Sequence, residues 1–276
     1  AKNKVKIERL LMAGAITIEE EEKYRLKYES YPQEVPNALT PKQLEAIETI
    51  INDPRETSLL HGVTGSGKTE VYLALAAHYL KMGKNVLMLV PEIALTGMML
   101  ANFYRRFGKK IAILHSELTA AEKYDEYRGI KDGKVNIVVG ARSAIFAPLD
   151  NIGIIILDEE HAETYKQDVA PFYHAFVVAQ MRAKSFNAKV VVGSATPSIE
   201  TMARAEKGTY GYYFLDERIN KQPLPETTIV NMLDFKNVLP SSPYVSKILF
   251  NDIKEALENK TQVISLVNRR GYATYV

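Results

Sequence analysis

Apolar residues occur along the chain in short runs that alternate with longer segments of helical periodicity. The runs are rich in Val, Ile and Leu and alternate little with polar residues, which is typical of strands buried on both faces of a sheet. The predicted strands are Ser58–His61, Asn85–Val90, Ile111–Leu114, Asn136–Val139, Ile152–Leu157 and Val190–Gly193. The helices predicted between or after them are Lys68–Met82, Ile93–Phe107, Thr119–Asp132, Tyr173–Lys184 and Ser198–Glu206. This order predicts an α/β fold, doubly wound, with a mainly parallel sheet.

The first helix of this domain is predicted to begin at Thr40. Thr40 is a suitable N-cap, Pro41 suits the first helical position, and Gln43 completes a T-x-x-Q capping box. Further upstream, Lys2–Met12 has the pattern of a basic amphipathic helix, and Ala15–Ile18 is predicted as a short strand. A charged, proline-interrupted stretch then leads to Thr40, so the two regions are predicted to be separate.

The regular pattern weakens after Phe214, where prolines interrupt the chain. A strand is expected at Thr227–Met232, a helix at Val245–Asn259 and a strand at Thr261–Val267. We therefore expect three parts: residues 1–36 as the tail of a preceding domain with its linker, 37–225 as the main domain, and 226–276 as a linker and the truncated start of a second α/β unit. Residues 1–36 fit a solvated helix without a separate role equally well. Because the sequence lacks an initial methionine, we interpret it as a piece of a longer protein.

Composition limits the classes of function. The chain has 276 residues, of which 46% are hydrophobic, and a formal net charge of +2, so any nucleic-acid binding must use local patches. It has no cysteine, which excludes disulfides, thiolate zinc sites and a cysteine nucleophile from this stretch. The apolar runs are too short to span a bilayer and no signal peptide is evident, so we expect no membrane partner and a cytoplasmic location.

A phosphate-binding motif follows the first predicted strand. The sequence G-x-x-x-x-G-K-T leads into a predicted helix, which is the setting that a P-loop requires. Backbone N–H groups can converge there on phosphate oxygens, Lys68 can reach the β- and γ-phosphates, and the Thr69 hydroxyl can bind Mg²⁺. The candidate nucleotide-binding residues are Gly62, Val63, Thr64, Gly65, Ser66, Gly67, Lys68, Thr69 and Glu70.

Consecutive acids follow the buried strand Ile152–Leu157, at the sheet edge where the P-loop is expected. Asp158 can hold the Mg²⁺ that bridges the phosphates, and Glu159 can act as general base toward the attacking water. Together with Lys68, these residues predict ATP hydrolysis. Ser194 and Thr196 end another strand and could contact His161 to relay the state of the γ-phosphate, although a plain capped turn would have the same sequence.

These motifs resemble those of superfamily 2 helicases, and longer blocks resemble the PriA family of bacterial primosomal replication-restart helicases. The blocks are LHGVTGSGKTEVYL at Leu60–Leu73, LVPEIALT at Leu89–Thr96, VGARSAIFAP at Val139–Pro148, DEEH at Asp158–His161, GSATPS at Gly193–Ser198 and NRRGYA at Asn268–Ala273. The resemblance implies an ATP- and Mg²⁺-dependent 3′-to-5′ DNA helicase whose first RecA-like motor lobe is the main domain of this chain.

The resemblance also implies partners and surroundings. Single-stranded and forked DNA, primosome proteins and single-strand-binding proteins are expected, in the bacterial cytoplasm. Zinc is expected only in a part of the family that this sequence lacks, and residues 1–36 would then end a winged-helix domain. Because the second lobe would be incomplete, unwinding by this piece alone is not expected. A DEAH-type RNA helicase and a nucleotide-gated scaffold without turnover are the alternatives.

Several residue roles come from the resemblance. Gln43 is similar to the adenine-reading glutamine of such motors, and Arg142 and Ser143 fall in a block that lies against the DNA backbone. Residues 165–174 resemble an aromatic-rich loop that links DNA binding to hydrolysis, and aromatic faces stack on bases without sequence preference. Its candidate DNA contacts are Tyr165, Lys166, Phe172 and Tyr173. Three alternatives stay open: capping alone for Gln43, a surface ion pair for Arg142, and core packing for the aromatic side chains.

Overall fold

The computed structural model describes residues 2–17, 37–94, 97–108, 110–221 and 226–266. The chain divides into two compact units, Ala1–Lys221 and Gln222–Val276. In the first unit the helices are α1 (Lys2–Met12), α2 (Pro41–Asn52), α3 (Lys68–Lys81), α4 (Gly97–Phe107), α5 (Ala120–Lys131), α6 (Ala175–Phe186) and α7 (Ile199–Glu206). Its strands are β1 (Thr57–Gly62), β2 (Asn85–Leu89), β3 (Ile111–Leu114), β4 (Ile137–Gly140), β5 (Ile152–Leu157), β6 (Lys166–Gln167), β7 (Tyr173–His174), β8 (Lys189–Ser194) and β9 (Gly211–Leu215).

The first unit is built on a seven-stranded sheet with the order β3-β4-β2-β5-β8-β1-β9. Every neighbouring pair in it is parallel, which confirms the predicted doubly wound α/β class. Successive residues of one strand contribute to opposite hydrophobic clusters: Leu59 and Ile155 belong to one, and Leu60 and Ile156 to the other. Burial on both faces is the physical reason for the unbroken apolar runs.

Some element boundaries differ from the prediction. The helix expected at Ile93–Phe107 is a 3-10 turn at Glu92–Ala94 followed by α4, with residues 95–96 outside the described part. The expected helix Tyr173–Lys184 begins at Ala175, because the two preceding residues pair with Lys166–Gln167 as a short hairpin. Residues 15–17 of the expected strand Ala15–Ile18 form no strand, and Ile18 is outside the described residues.

The second unit contains a hairpin and a helix in its described residues. Strands β10 (Val238–Leu239) and β11 (Ser242–Ser246) pair antiparallel, and helix α8 (Lys247–Glu258) follows with Ser246 as N-cap. The helix prediction is thus confirmed, but the strand prediction at Thr227–Met232 is wrong, since these residues are mostly exposed and unpaired. Residues 261–266 of the expected strand Thr261–Val267 also form none, and the NRRGYA block lies outside the described residues.

Among the helices that the structure describes, none is both long and apolar enough to cross a membrane.

Asp53, the C-cap of α2, stabilises the end of the sheet remote from the P-loop. The Arg55 Nε atom donates to its carboxylate at 2.8 Å and the Tyr213 hydroxyl donates to it as well. Burial alone would raise the pKa of Asp53, but these hydrogen bonds outweigh it and lower the pKa to about 2. A carboxylate with a lowered pKa stabilises the fold above its unfolded-state pKa, and that contribution is lost as the pH falls toward the folded-state value.

We expect Asp53→Asn to lower the free energy of unfolding by about 2 kcal/mol at pH 7. The difference from the unsubstituted chain should shrink between about pH 4 and pH 2, as the charge is lost. Urea unfolding at a series of pH values measures it. Asp132→Asn, at the exposed C-cap of α5, is the matched control and should change little. An equal effect of both substitutions would contradict the assignment.

Candidate nucleotide-hydrolysis site and adjoining loops

The candidate site lies at the carboxyl ends of three adjacent strands. The order β5-β8-β1 places the residues after Leu157, Ser194 and Gly62 side by side, since carboxyl ends of parallel strands share one edge. The Asp158 amide donates to the Leu89 carbonyl at 3.0 Å, and the Glu160 amide donates to the Gly193 carbonyl at 3.0 Å. The structure therefore brings together the three motifs that are far apart in sequence.

The P-loop has a backbone that requires glycine. Gly65 and Gly67 have φ values of +83° and +80°, in the left-handed region. A Cβ atom at Gly67 would lie 2.3 Å from the Gln43 Nε2 atom. The Lys68 ammonium donates to the Gly62 carbonyl at 2.9 Å, so its charge lies within the concavity of the loop. Helix α3 begins at Lys68, so its first free N–H groups and dipole face the same space.

Gln43 connects the start of α2 to the P-loop. Its Oε1 accepts from the Thr40 amide at 2.9 Å, and its Nε2 donates to the Ser66 carbonyl at 3.0 Å. The side chain is buried, and the capping box predicted from the sequence is confirmed. Capping is therefore part of its role, and the contact with Ser66 adds a second part that the sequence did not indicate.

A cavity of about 230 Å³ adjoins the P-loop on the side of α2. Its walls come from the start of α2, from Ser66 and from the segment after β9: Thr40, Pro41, Lys42, Ser66, Leu215, Glu217, Arg218, Ile219 and Lys221. The Ile219 amide donates to the Gly65 carbonyl at 3.0 Å, and Lys42 pairs with Asp216 and with Glu217. The sequence did not predict that the segment after β9 belongs to this site, because the contacts join residues more than 150 positions apart.

The two acids at the end of β5 differ in environment. The Tyr72 hydroxyl donates to the Asp158 Oδ1 atom at 2.9 Å. Burial raises the pKa of Asp158, against the opposing effects of Tyr72 and Lys68. Burial and the neighbouring charge of Asp158 also raise the pKa of Glu159, whose backbone has a positive φ of 46°. A non-glycine residue in this region is strained by about 1–3 kcal/mol, and such strain is concentrated at functional sites.

The residues present fit a magnesium nucleotide. The glycine backbone leaves room for phosphates, Lys68 supplies a positive charge, and Asp158 and the half-buried Thr69, second residue of α3, supply oxygen ligands. Glu70 accepts a hydrogen bond from the Asn37 Nδ2 atom at 2.8 Å, so its carboxylate is engaged with the chain. In the part of the chain that the structure describes, no group of three or more His, Cys, Asp or Glu could hold a metal ion. Mg²⁺ would then be held largely by phosphate oxygens, as is usual for this ion.

His161 meets the third motif. Its Nδ1 atom lies 2.8 Å from the Ser194 Oγ atom and 3.7 Å from a Glu159 carboxylate oxygen. The Thr196 amide donates to the same Ser194 hydroxyl at 2.9 Å. The structure thus places His161 between the acid of β5 and the turn after β8, which is the arrangement that a relay between the motifs would need.

Glu160 was not singled out from the sequence, although its carboxylate accepts three hydrogen bonds. Its carboxylate accepts from the Ser198 amide at 2.6 Å and from the hydroxyls of Ser198 and Thr201 at 3.2 and 3.1 Å. It is 6% exposed and lies at the N-terminus of α7, where the helix dipole favours a negative charge. No local pattern distinguishes this glutamate from Glu159, because its partners come from another part of the chain.

We expect Glu160→Ala to lower the free energy of unfolding by about 1–3 kcal/mol, since buried donors lose their acceptor. Urea unfolding of the chain measures the change. Glu163→Ala, which removes an exposed carboxylate from the same loop, is the matched control and should have little effect. Similar midpoints for Glu160→Ala and the unsubstituted chain would contradict this role for the carboxylate.

The residues predicted to contact DNA are distributed over two adjacent segments. Ser143, Lys166 and Phe172 are exposed, and Arg142 and Tyr173 are half-buried. Arg142 Nη1 donates to the carbonyls of Thr164, at 3.0 Å, and Lys166. Among the described residues, the arginine is therefore engaged with carbonyls of the aromatic loop and with no surface carboxylate.

Tyr165 does not fit its predicted role as a DNA contact. Its side chain has no exposed surface, and its hydroxyl donates to the Asp158 carbonyl at 2.7 Å. It belongs to the core, as the packing alternative anticipated, because an aromatic ring at this position fills the space beneath the loop. Its hydroxyl connects the aromatic loop to the acidic motif.

Comparison with known proteins agrees with this geometry. A family model described as DEAD/DEAH box helicase matches residues 40–205. The chain is 43% identical to the replication restart protein PriA of Bacillus subtilis (strain 168), over 98% of this chain and 34% of that protein. It is 45% identical to the replication restart protein PriA of Rickettsia felis, over 85% of this chain and 36% of that protein.

The chain spans about a third of the length of these curated relatives. The resemblance to PriA that the motifs indicated is confirmed by these identities. Since the family model covers more than half of the chain and its motifs meet at one site, the chain belongs to the DEAD/DEAH box helicase family.

Proposed function

We propose that this chain is the first motor lobe of an ATP-dependent 3′-to-5′ DNA helicase that acts in replication restart. The observation that carries the proposal is the convergence of Lys68, Asp158, Glu159 and His161 on one edge of the sheet. The restart role rests on the similarity to replication restart proteins, and the 3′-to-5′ polarity rests on the family resemblance alone. Single-stranded and forked DNA are the proposed substrates, and primosome and single-strand-binding proteins the proposed partners.

The proposed chemistry is phosphoryl transfer from ATP to water. Lys68 and the amides at the start of α3 bind the phosphates, and the turn at Gly65–Gly67 lets the backbone approach them closely. When bound, Mg²⁺ would neutralise charge on the phosphates, and Thr69 and Asp158 would hold it. Glu159 orients the water and takes its proton, and its raised pKa makes it a stronger base than a free glutamate.

The Asp158 carboxylate is held in place by the buried Tyr72. Burial raises the pKa of Tyr72 well above that of a free tyrosine, so its hydroxyl stays protonated and donates to the carboxylate. His161 and Ser194 would pass the change on hydrolysis to the turn after β8, at a hydrogen-bond distance of 2.8 Å. Gln43 would help to bind the adenine base, and its hydrogen bond to the Ser66 carbonyl holds it beside the P-loop.

A motor of this kind closes its nucleotide site between two lobes, and an arginine of the second lobe stabilises the transferring phosphoryl group. We infer that this chain alone would bind Mg-ATP weakly, hydrolyse it slowly and fail to unwind duplex DNA. A coupled ATPase assay on the chain measures the hydrolysis, and a strand-displacement assay measures the unwinding. Efficient unwinding by the chain alone would contradict this part of the proposal.

The experiment that tests the function compares ATPase stimulation of the full-length protein by single-stranded DNA and by RNA of equal length. Stimulation by DNA is expected. Preferential stimulation by RNA would favour a DEAH-type RNA helicase, and absence of turnover with either would favour a nucleotide-gated scaffold. The first alternative lacks a supporting observation in the site, and the intact pair Asp158 and Glu159 argues against the second.

Phe172→Ala in the full-length protein should weaken the stimulation of ATP hydrolysis by single-stranded DNA, with little change in the unstimulated rate. Phe172 is 75% exposed and directly precedes β7 in the loop of the β6–β7 hairpin, so its removal leaves no cavity in the core. One base stack contributes about 1–3 kcal/mol, so the DNA concentration for half-maximal stimulation should rise several-fold or more. An unchanged titration with DNA would remove Phe172 from the proposed interface.

A further inference from the structure

Phe146 is an exposed aromatic residue that the proposed function does not use. It ends the 3-10 turn Arg142–Phe146, and 52% of its surface is accessible. Its ring centroid lies 4.9 Å from that of Tyr173 at an interplanar angle of 74°, an edge-to-face contact. The ring is thus braced on one side and open to solvent on the other, and such a surface suits stacking on a flat apolar ligand.

Arg142, at the opposite end of the turn, contacts the Tyr173 ring of this pair. Its guanidinium carbon lies 5.9 Å from the centroid of the Tyr173 ring, within the range of a cation–π contact. Its Nη1 atom donates to the carbonyls of Thr164 and Lys166, the residues on either side of Tyr165. The turn and the aromatic loop are therefore joined through one side chain.

The joined segment continues to the acidic motif. Tyr165 lies in the sequence between the two residues whose carbonyls Arg142 binds, and its side chain is fully buried. Its hydroxyl donates to the Asp158 carbonyl at 2.7 Å. A ligand on the Phe146 ring would thus lie on a surface that Tyr173, Arg142 and Tyr165 connect to Asp158. Each of these contacts is direct.

We propose that Phe146 is a nucleobase-stacking platform, and that Arg142 is a positioning residue that fixes this platform to the segment supporting Asp158. The ligand is one unstacked base of single-stranded DNA, so the inference rests on the proposed function. Arg142 then acts by hydrogen bonds to two carbonyls and by its cation–π contact with Tyr173, and a lysine does not present the same fork of N–H donors. Binding of backbone phosphate by Arg142 is the competing role, which a lysine would largely preserve.

The platform is tested by fluorescence anisotropy with the 276-residue chain and two labelled strands. The strands are oligothymidylate and an abasic oligodeoxynucleotide of equal length. Phe146→Ala should weaken binding of oligothymidylate about 5- to 150-fold, as expected for the loss of one stacked base. The loss on the abasic strand should be much smaller. Tyr124→Ala is the matched control, because Tyr124 is 63% exposed and has the Arg128 guanidinium 5.7 Å from its ring centroid.

Arg142 is tested with Arg142→Lys and Arg142→Ala. If Arg142 positions the platform, both variants should weaken oligothymidylate binding, with an unchanged slope of log affinity against log salt. Amide hydrogen exchange of residues 163–174 should also become faster in both, in the absence of DNA. If it binds phosphate, Arg142→Lys should bind normally and Arg142→Ala should lower the magnitude of the slope by about 0.7.

The outcomes separate the inference from the function on which it rests. Equal losses on both strands, or unchanged binding by Phe146→Ala, would overturn the platform while leaving DNA binding intact. Normal binding and normal exchange in Arg142→Lys would overturn the positioning role. An unsubstituted chain with no affinity for oligothymidylate would overturn DNA binding by this lobe and the platform with it.

Discussion

Lys68→Ala in the full-length protein is expected to lower kcat for ATP hydrolysis by at least about 10²- to 10³-fold. The Lys68 ammonium lies 2.9 Å from the Gly62 carbonyl, inside the P-loop, where phosphate oxygens would also approach it. Its charge stabilises the transferring phosphoryl group more than it stabilises bound ATP, so kcat should fall more than nucleotide affinity. Steady-state ATPase kinetics with saturating single-stranded DNA measure the effect.

Lys81→Ala is the control for this substitution, because Lys81 is an exposed lysine at the far end of the same helix. It should leave kcat unchanged. The affinity of Lys68→Ala for single-stranded DNA should also stay close to that of the unsubstituted protein, because no predicted DNA contact touches this lysine. Normal turnover by Lys68→Ala would show that the loop does not bind the reacting phosphates.

Glu159→Gln is expected to lower kcat by about 10²- to 10⁴-fold, the usual contribution of a general base. The substitution nearly keeps the shape of the side chain but removes its negative charge, and with it the ability to accept a proton. ATP should still bind, so a fluorescent ATP analogue should titrate the variant much as it titrates the unsubstituted protein. Single-turnover hydrolysis separates the chemical step from binding.

Glu163→Gln provides the control for Glu159→Gln, because Glu163 is an exposed carboxylate on the same loop. The pH profile offers a further check. Burial and the charge of Asp158 raise the pKa of Glu159, so the basic form is lost at a higher pH than for a free glutamate. The fall of kcat on the acidic side of the pH profile should therefore occur at a higher pH than for a free glutamate. Retention of turnover by Glu159→Gln would assign the base to another residue.

The central strands could be predicted from the sequence because burial on both faces leaves an unbroken apolar signal. β9 was missed for the converse reason. It is an edge strand with alternating burial, in which Tyr212 and Phe214 are exposed and Tyr213 is buried. An alternating run with no regular helix pattern after it gives little indication of a parallel strand. The short β6–β7 hairpin could not be predicted either, because two residues per strand are too few to show the alternating pattern of a strand.

The nucleotide motifs could be predicted because a local sequence dictates their local geometry. Their supports could not, because they depend on contacts between distant segments. Tyr72 is one turn after Lys68 on the same face of α3, which could have drawn attention to it, but its partner Asp158 is 86 positions away. Glu160 and Arg142 also have partners that are distant in sequence. The sequence shows only that they are charged, and the fold is needed to show that they bind backbone and hydroxyl groups of the lobe.

The contact between Tyr72 and the strand β8 has a consequence for the evolution of this family. A Cβ atom placed on Gly193 would lie 1.7 Å from the Tyr72 hydroxyl oxygen and 2.8 Å from the ring carbon that bears it. An alanine at position 193 is therefore incompatible with a tyrosine at position 72, and even a phenylalanine would be crowded. The two positions should covary: lineages that keep the tyrosine should keep the glycine, and a larger residue at 193 should occur only where a smaller side chain has replaced the tyrosine.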